Sequence, residues 1–306
     1  MDARRRFDAL VKVLELRLLG RRRPLVVTWP ITDRCNFSCR TCKRWRRESA
    51  ELGTAEALSV IEQLARLGTQ RISISGGEPL LRDDLGELLG HARRRGVAVV
   101  VTTNGSLVSE RLPALAGAEL VKLSLDGDRE VHDHLRGAGS FDLVLEAARA
   151  LRSAGRRFVF NTVLSAVNLD RPEDAIRLAE EFETRVRFTT INTVHASQAE
   201  IADLEPPSPR AHARAIDRIA AARRAGRPVA NSPAGLRYLR TWPGGRRDFP
   251  CFAGLALAHL AADGGLYPCI FMEGRMPGRD ISALGIAEAF AGLANPACGR
   301  CWCGGT

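Results

Sequence analysis

Cys35, Cys39 and Cys42, in the run Cys-Asn-Phe-Ser-Cys-Arg-Thr-Cys, are the residues best able to do chemistry in this chain. Thiolates are soft ligands, and three of them spaced C-x3-C-x2-C on one short loop can converge on a single cuboidal iron–sulfur cluster. A closed [4Fe-4S] cluster takes four thiolates, so three leave one iron open. An open position marks a reactive metal site rather than a structural one, and something other than protein must bind there. Spacing alone also admits zinc with a fourth ligand from elsewhere, or reduced thiols of no consequence. A second motif, Gly76-Gly77-Glu78-Pro79, ends the next strand-like run, and a zinc site has no use for it.

The elements that must position these residues alternate with some regularity. Leu25 to Thr32 reads as a strand, 55–67 as a helix, 71–75 as a strand, 85–95 as a helix and 97–103 as a strand. Helix 109–116, strand 120–125, helix 141–154, strand 158–164, helix 172–182 and strand 186–191 follow. Six strands with helices between them imply an α/β fold with a parallel sheet. Polar residues and glycines gather at the C-terminal strand ends: Gly76 to Pro79, Thr102 to Gly105, Ser124 to Gly127, Asn161, and Thr189 to Asn192. In a parallel barrel that end carries the active site.

Outside this unit, residues 7–19 place Phe7, Leu10, Val11, Leu14 and Leu18 on one helical stripe, read as docking on the main domain. Arg210 to Ala225 reads as a helix and 227–250 as a crossing segment. A hairpin, 257–262 and 266–270 around Asp263-Gly264-Gly265, then opens a small domain completed by a helix over 281–293. The expected division is 1–23 (amphipathic helix and basic linker), 24–226 (barrel) and 227–306 (linker and cysteine-rich α+β extension).

The 306 residues can bury a sizeable core, and the net charge of +10 is carried almost wholly by arginine. Cluster thiolates offset part of that charge, so neither nucleic acid nor membrane is expected as a partner, while an anionic substrate fits. The charged first residues do not read as a signal peptide, and no apolar run reaches transmembrane length. A cytoplasmic setting follows as the expectation, and there the eight cysteines favour metal ligation over disulfides.

On the cysteine loop and Gly76 to Pro79, the chain resembles the radical S-adenosylmethionine (radical SAM) superfamily. The resemblance implies an incomplete, TIM-like (β/α)6 barrel and a [4Fe-4S] cluster whose fourth iron is chelated by the amino and carboxylate groups of SAM. It places Gly76, Gly77, Glu78 and Pro79 along the methionyl end, with Glu78 bracing the loop or sharing that contact. Ser124 would contact SAM through its hydroxyl, Arg136 would pair with a carboxylate or stabilise its loop, and Asn104 and Asn161 would face the same cavity. Thr41 stands where an aromatic residue is common, so Phe37 or Trp45 would pack beside adenine.

Cys251, Cys269, Cys298 and Cys301 resemble the twitch form of the SPASM extension, which binds an auxiliary [4Fe-4S] cluster; an all-thiolate zinc site is the alternative. Cys303 is then left over as a candidate hydrogen-atom donor, although Cys301 and Cys303 are not ranked by sequence. The resemblance implies a 5′-deoxyadenosyl radical that abstracts hydrogen from a small molecule, such as a sugar or aminocyclitol, giving oxidation or epimerisation. An external reductant of flavodoxin or ferredoxin type would supply the electron. Maturation of a ribosomal peptide ranks below this, since no separate peptide-recognition domain precedes the barrel. A zinc protein or an electron carrier is the reading outside enzymes.

Overall fold

The computed structural model describes residues 11, 12, 14–191, 199–242, 250–296 and 298. Period-2 patterning sets the sheet. In β1 (Val26–Pro30), β2 (Arg71–Ser75), β3 (Ala98–Thr103), β4 (Leu120–Ser124), β5 (Phe158–Leu164) and β6 (Val186–Thr190), one set of residues joins the core: Val27 and Trp29, Ile72 and Ile74, Val101, Leu123, Phe160 and Phe188. Helices Thr54–Arg66, Leu85–Arg94, Ser140–Ser153 and Glu173–Glu181 bury their apolar residues in that same core. Alternate residues, including Ser75, Thr102, Ser124 and Asn161, take the opposite face, where the cavity lies.

Strands β1 to β6 are parallel neighbours in chain order, as in an incomplete α/β barrel. The sheet does not close. Its β6 edge is covered by residues 228–231: Val186 N–H donates to Pro228 O (2.9 Å) and Ala230 N–H to Val186 O (2.8 Å). The Asn231 carboxamide then takes both backbone groups of Phe188, each at 2.8 Å.

The expected hairpin forms as β7 (Leu257–Leu260) and β8 (Gly265–Tyr267), with Gly264 at φ 91° in the turn. It is not detached from the barrel. β7 pairs parallel with β1, so the extension continues the same sheet through β8 and β9 (Arg279–Asp280). Sequence gives no signal for pairing across some 230 residues.

Four segments differ from the expected elements. Residues 109–116 form turns and a 3-10 segment, Leu112–Gly117, with Pro113 in its first turn and Gly117 packed against Leu89. Arg129–Arg136 and Pro233–Leu239 are helices, capped by Asp128 and Ser232 side chains that accept from Val131 N–H and Gly235 N–H. The N-terminal helix exposes Leu14 and Leu18 instead of docking through them. Lys12 Nζ donating to Gly68 O (3.1 Å) and Arg17 over the Phe252 ring tether it. Among the described residues no helix is long and apolar enough to cross a membrane.

Candidate active site

A cavity of about 290 Å³ opens at the C-terminal strand ends, and Cys35, Cys39 and Cys42 all line it. Their loop is held from several sides. Cys42 N–H donates to Cys39 O (3.2 Å), Trp45 Nε1 to Cys42 O (3.0 Å), and Arg40 N–H to Leu135 O (2.9 Å). Asn104, at the end of β3, donates from Nδ2 to Asn36 Oδ1 (2.9 Å), tying the cysteine loop to its neighbour.

The two glycines owe their identity to backbone packing. A Cβ on Gly76 would sit 2.2 Å from Thr32 O, and one on Gly77 would sit 2.0 Å from Arg34 O. The loop after β2 thus lies directly on the loop after β1, with Gly77 N–H donating to Thr32 O and Glu78 N–H to Arg34 O, each at 2.8 Å. Gly77→Ala must push the cysteine loop away. The expected cost is about 1–3 kcal/mol of stability, as for overpacking. Thermal unfolding of the variant checks this, and an unchanged Tm would contradict such packing.

Glu78 and Pro79 do not line the cavity. Glu78 is wholly buried behind it and accepts from Thr103 Oγ1 (2.8 Å), Asn104 N–H (2.8 Å) and Leu80 N–H (3.1 Å). Of the two roles expected for it, the structure supports bracing. Burial pushes its carboxyl up to about 6, opposed by those three donors.

Ser124, Arg136, Asn161 and Asn104 join the cysteines around the cavity, as do Phe37, Thr41 and Trp45. The carboxylate that Arg136 pairs with is the protein's own Asp126, at 2.6 Å. Its Nη1 meanwhile lies 4.0 Å from Cys39 Sγ. Asp126 also accepts from Val163 N–H (3.0 Å), so the ion pair fixes the end of β4 against β5. The Ser124 hydroxyl and the Asn161 carboxamide have no hydrogen-bond partner among the described residues, so both are available to a ligand.

The donor set fits an iron–sulfur cluster. Burial pushes the Cys35 thiol up to about 11 and also raises Cys39, with the neighbouring cysteines adding to both shifts and Arg136 opposing the second. Three thiolates in so small a space need a positive core between them, which iron supplies.

Sequence reasoning missed Arg44, Ser75 and Val163 in the cavity wall. Arg44 matters most. Only 1% exposed, it pairs with Asp33 and donates from Nη2 to Glu273 Oε2 (2.7 Å). Glu273 also takes Arg47 and His259 Nε2 (3.0 Å), and His259 Nδ1 meets Thr28 Oγ1 (2.8 Å). This chain of side chains joins the cysteine loop to the C-terminal extension. An arginine two positions after a cysteine carries no sequence signal of burial.

Cys251, Cys269 and Cys298 lie outside the cavity, but the segments bearing them meet. Asn295 Nδ2 donates to Cys251 O (3.0 Å) and Ala253 O (2.7 Å). A Cβ on Gly254 would lie 2.9 Å from Ala294 O and 3.4 Å from Pro268 Cβ, next to Cys269. Cys301 and Cys303 fall outside the described residues.

The comparisons agree with this geometry. Over 175 residues the chain is 33% identical to the mycofactocin maturase MftC of Mycolicibacterium smegmatis, covering 55% of this chain and 45% of that one. Over 167 residues it is 36% identical to an AdoMet-dependent heme synthase of Methanosarcina barkeri, covering 52% and 48%. The chain therefore spans about half the length of these curated relatives. In fold it is similar to Streptococcus suis SuiB bound to its precursor peptide SuiA (TM-score 0.74, 17% identity, 92% of this chain and 68% of that one). It is likewise similar to anSMEcpe with bound AdoMet and Cp18Cys peptide (TM-score 0.67, 18% identity, 87% and 79%). The Radical SAM superfamily profile matches residues 29–179. That span carries the three cavity cysteines, the Gly76 to Pro79 loop, Ser124, Arg136 and Asn161, and it is a radical SAM superfamily domain.

Proposed function

We propose that this protein is a radical SAM enzyme that modifies a peptide substrate. The observation that carries the reading is one cavity walled by three cysteines, two glycines in backbone contact with the cysteine loop, and the unpartnered Ser124 and Asn161. A [4Fe-4S] cluster bound there would supply the one-electron reduction that splits SAM into methionine and a 5′-deoxyadenosyl group, which would leave as 5′-deoxyadenosine after taking a hydrogen atom from the substrate. In this reading Cys35, Cys39 and Cys42 hold the cluster, and Gly76 and Gly77 border the methionyl end of SAM. Ser124 and Asn161 hold its polar groups, and Arg136 balances the charge at Cys39. Phe37 and Trp45 flank adenine.

The sequence put a sugar or aminocyclitol substrate first and peptide maturation second. The relatives reverse that order: one is named a maturase, and two fold neighbours are described with peptides bound. The relative named a heme synthase supports a second reading, in which the substrate is a small molecule.

Cys251, Cys269 and Cys298, with Cys301 or Cys303, are proposed to hold an auxiliary [4Fe-4S] cluster that accepts the substrate electron, making the net reaction a two-electron oxidation. The convergence of their segments through Asn295 and Gly254 supports this. Anaerobic reconstitution should load about eight irons per chain, against about four if only the first site is filled. With dithionite and SAM the wild-type chain should release 5′-deoxyadenosine, and a peptide substrate should lose two mass units. Stoichiometric zinc with no 5′-deoxyadenosine would overturn the reading.

A further inference from the structure

Below the cavity, the same face of the sheet carries an unusual set of donors. Ser73 and Lys122 each lie two residues before a cavity-lining serine, Ser75 and Ser124, and so one pleat repeat deeper on the same side of the sheet. Arg187 pairs in register with the cavity residue Asn161, and Arg71 lies two residues before Ser73.

Two of these polar groups are orphaned: the Ser73 hydroxyl and Arg71 Nε are buried with no hydrogen-bond partner. Lys122 forms no described hydrogen bond or ion pair, and the charges acting on it, Arg187 and Arg71, are both positive. Burial, reinforced by those two cations, holds its ammonium down to about 8. Among the charges acting on Lys122 and Arg71, the one acid is Glu119, beside Arg71. The Lys122 ammonium, the Ser73 hydroxyl and Arg71 Nε, buried without acceptors, are costly for the fold alone, and such an arrangement is suited to receiving an anion.

We propose that Lys122, with Arg71, Arg187 and Ser73, forms an oxyanion site on the floor of the cavity that receives a carboxylate or phosphate group of the substrate. The inference deepens the radical SAM reading by naming the substrate's chemistry, and it rests on that reading for the identity of the cavity above. An anion held there would anchor one end of the substrate one pleat repeat below Ser124 and Asn161, leaving the rest beside the cysteines.

The test uses the full reconstituted chain and follows thermal unfolding in sodium phosphate, sodium succinate and sodium chloride at matched ionic strength. Phosphate and succinate should both raise Tm saturably, and chloride should not. Lys122→Met should weaken the apparent phosphate affinity about tenfold or more, the contribution of one charge-assisted contact. Without anion the same variant should be more stable than wild type, with Tm up by about 2 °C or more, because a buried unpaired cation is gone. Lys122→Arg should keep the phosphate response. Equal responses to chloride and phosphate, or an unaltered phosphate response in Lys122→Met, would show an adventitious ion only. A Lys122→Met protein that is less stable or does not fold would mean the lysine has a structural role, and the proposal would fall. Release of 5′-deoxyadenosine by the wild-type chain is scored separately, so the radical SAM reading can fail without this one, and the reverse.

Discussion

Cys39→Ala is expected to leave about four fewer irons per chain and to reduce 5′-deoxyadenosine release to background. Cys39 is the most buried of the three cavity cysteines, and its sulfur is the one facing the Arg136 guanidinium. With two thiolates left, one cluster iron would lose its protein ligand, and no other cysteine among the described residues lines the cavity to replace it. Folding should survive, because Arg136 keeps its 2.6 Å contact with Asp126 and the loop keeps its backbone bonds. Iron analysis, far-ultraviolet circular dichroism and quantification of 5′-deoxyadenosine separate the two effects. A variant with full iron and wild-type turnover would remove Cys39 from the site.

Glu273→Ala should produce the largest loss of stability, about 3–5 kcal/mol, because it leaves the Arg44 guanidinium buried with Asp33 as its remaining partner. The loss should also change with pH. Although burial alone would raise it, bonding to His259 and the charges of Arg44 and Arg47 hold the Glu273 carboxyl well below the ordinary carboxylate range. A depressed carboxylate contributes stability that is complete above its unfolded value and disappears as pH falls toward the folded one. Wild type should therefore lose stability on acidification below about pH 4.5, and Glu273→Ala should show a flatter acid limb. Urea titrations of both proteins between about pH 3 and 7 measure the difference. Parallel curves at all pH values would mean that the carboxylate is not held in this network. Since Arg44 also lines the cavity, iron loading should fall in the variant as well.

Much of the fold was legible because its signals are local. Period-2 apolar runs marked six parallel strands, and glycines after 95, 154 and 225 marked helix ends. The helix Arg129–Arg136 was readable too: Asp128 caps it, and Val131 and Leu135 are spaced for one buried face. A composition in which only Val131 and Leu135 are apolar hid that spacing. Pro and Gly content likewise hid the Ser232-Pro233 start of a helix whose Leu236 and Leu239 are buried.

The site was legible as a list of residues, since the cysteines, both glycines, Ser124, Arg136 and Asn161 do meet. Their division of labour was not. Glu78 braces rather than lines, Asn104 is engaged with Asn36, and Arg136 answers Asp126, because each role depends on partners 10 to 68 positions away. Arg44 and Glu273, 229 positions apart, lie beyond any local pattern.

The Asn231 carboxamide on β6 has a consequence for how a substrate enters. By presenting a carbonyl and an amide to both backbone groups of Phe188, it imitates a neighbouring strand exactly where an unclosed barrel would otherwise recruit one. A guest polypeptide therefore finds no vacant ladder at residues 186–188, and another copy of this chain finds no template for stacking at that edge. Traffic toward the cysteines is left to the loop end of the sheet, where selection falls to side chains rather than to main-chain pairing.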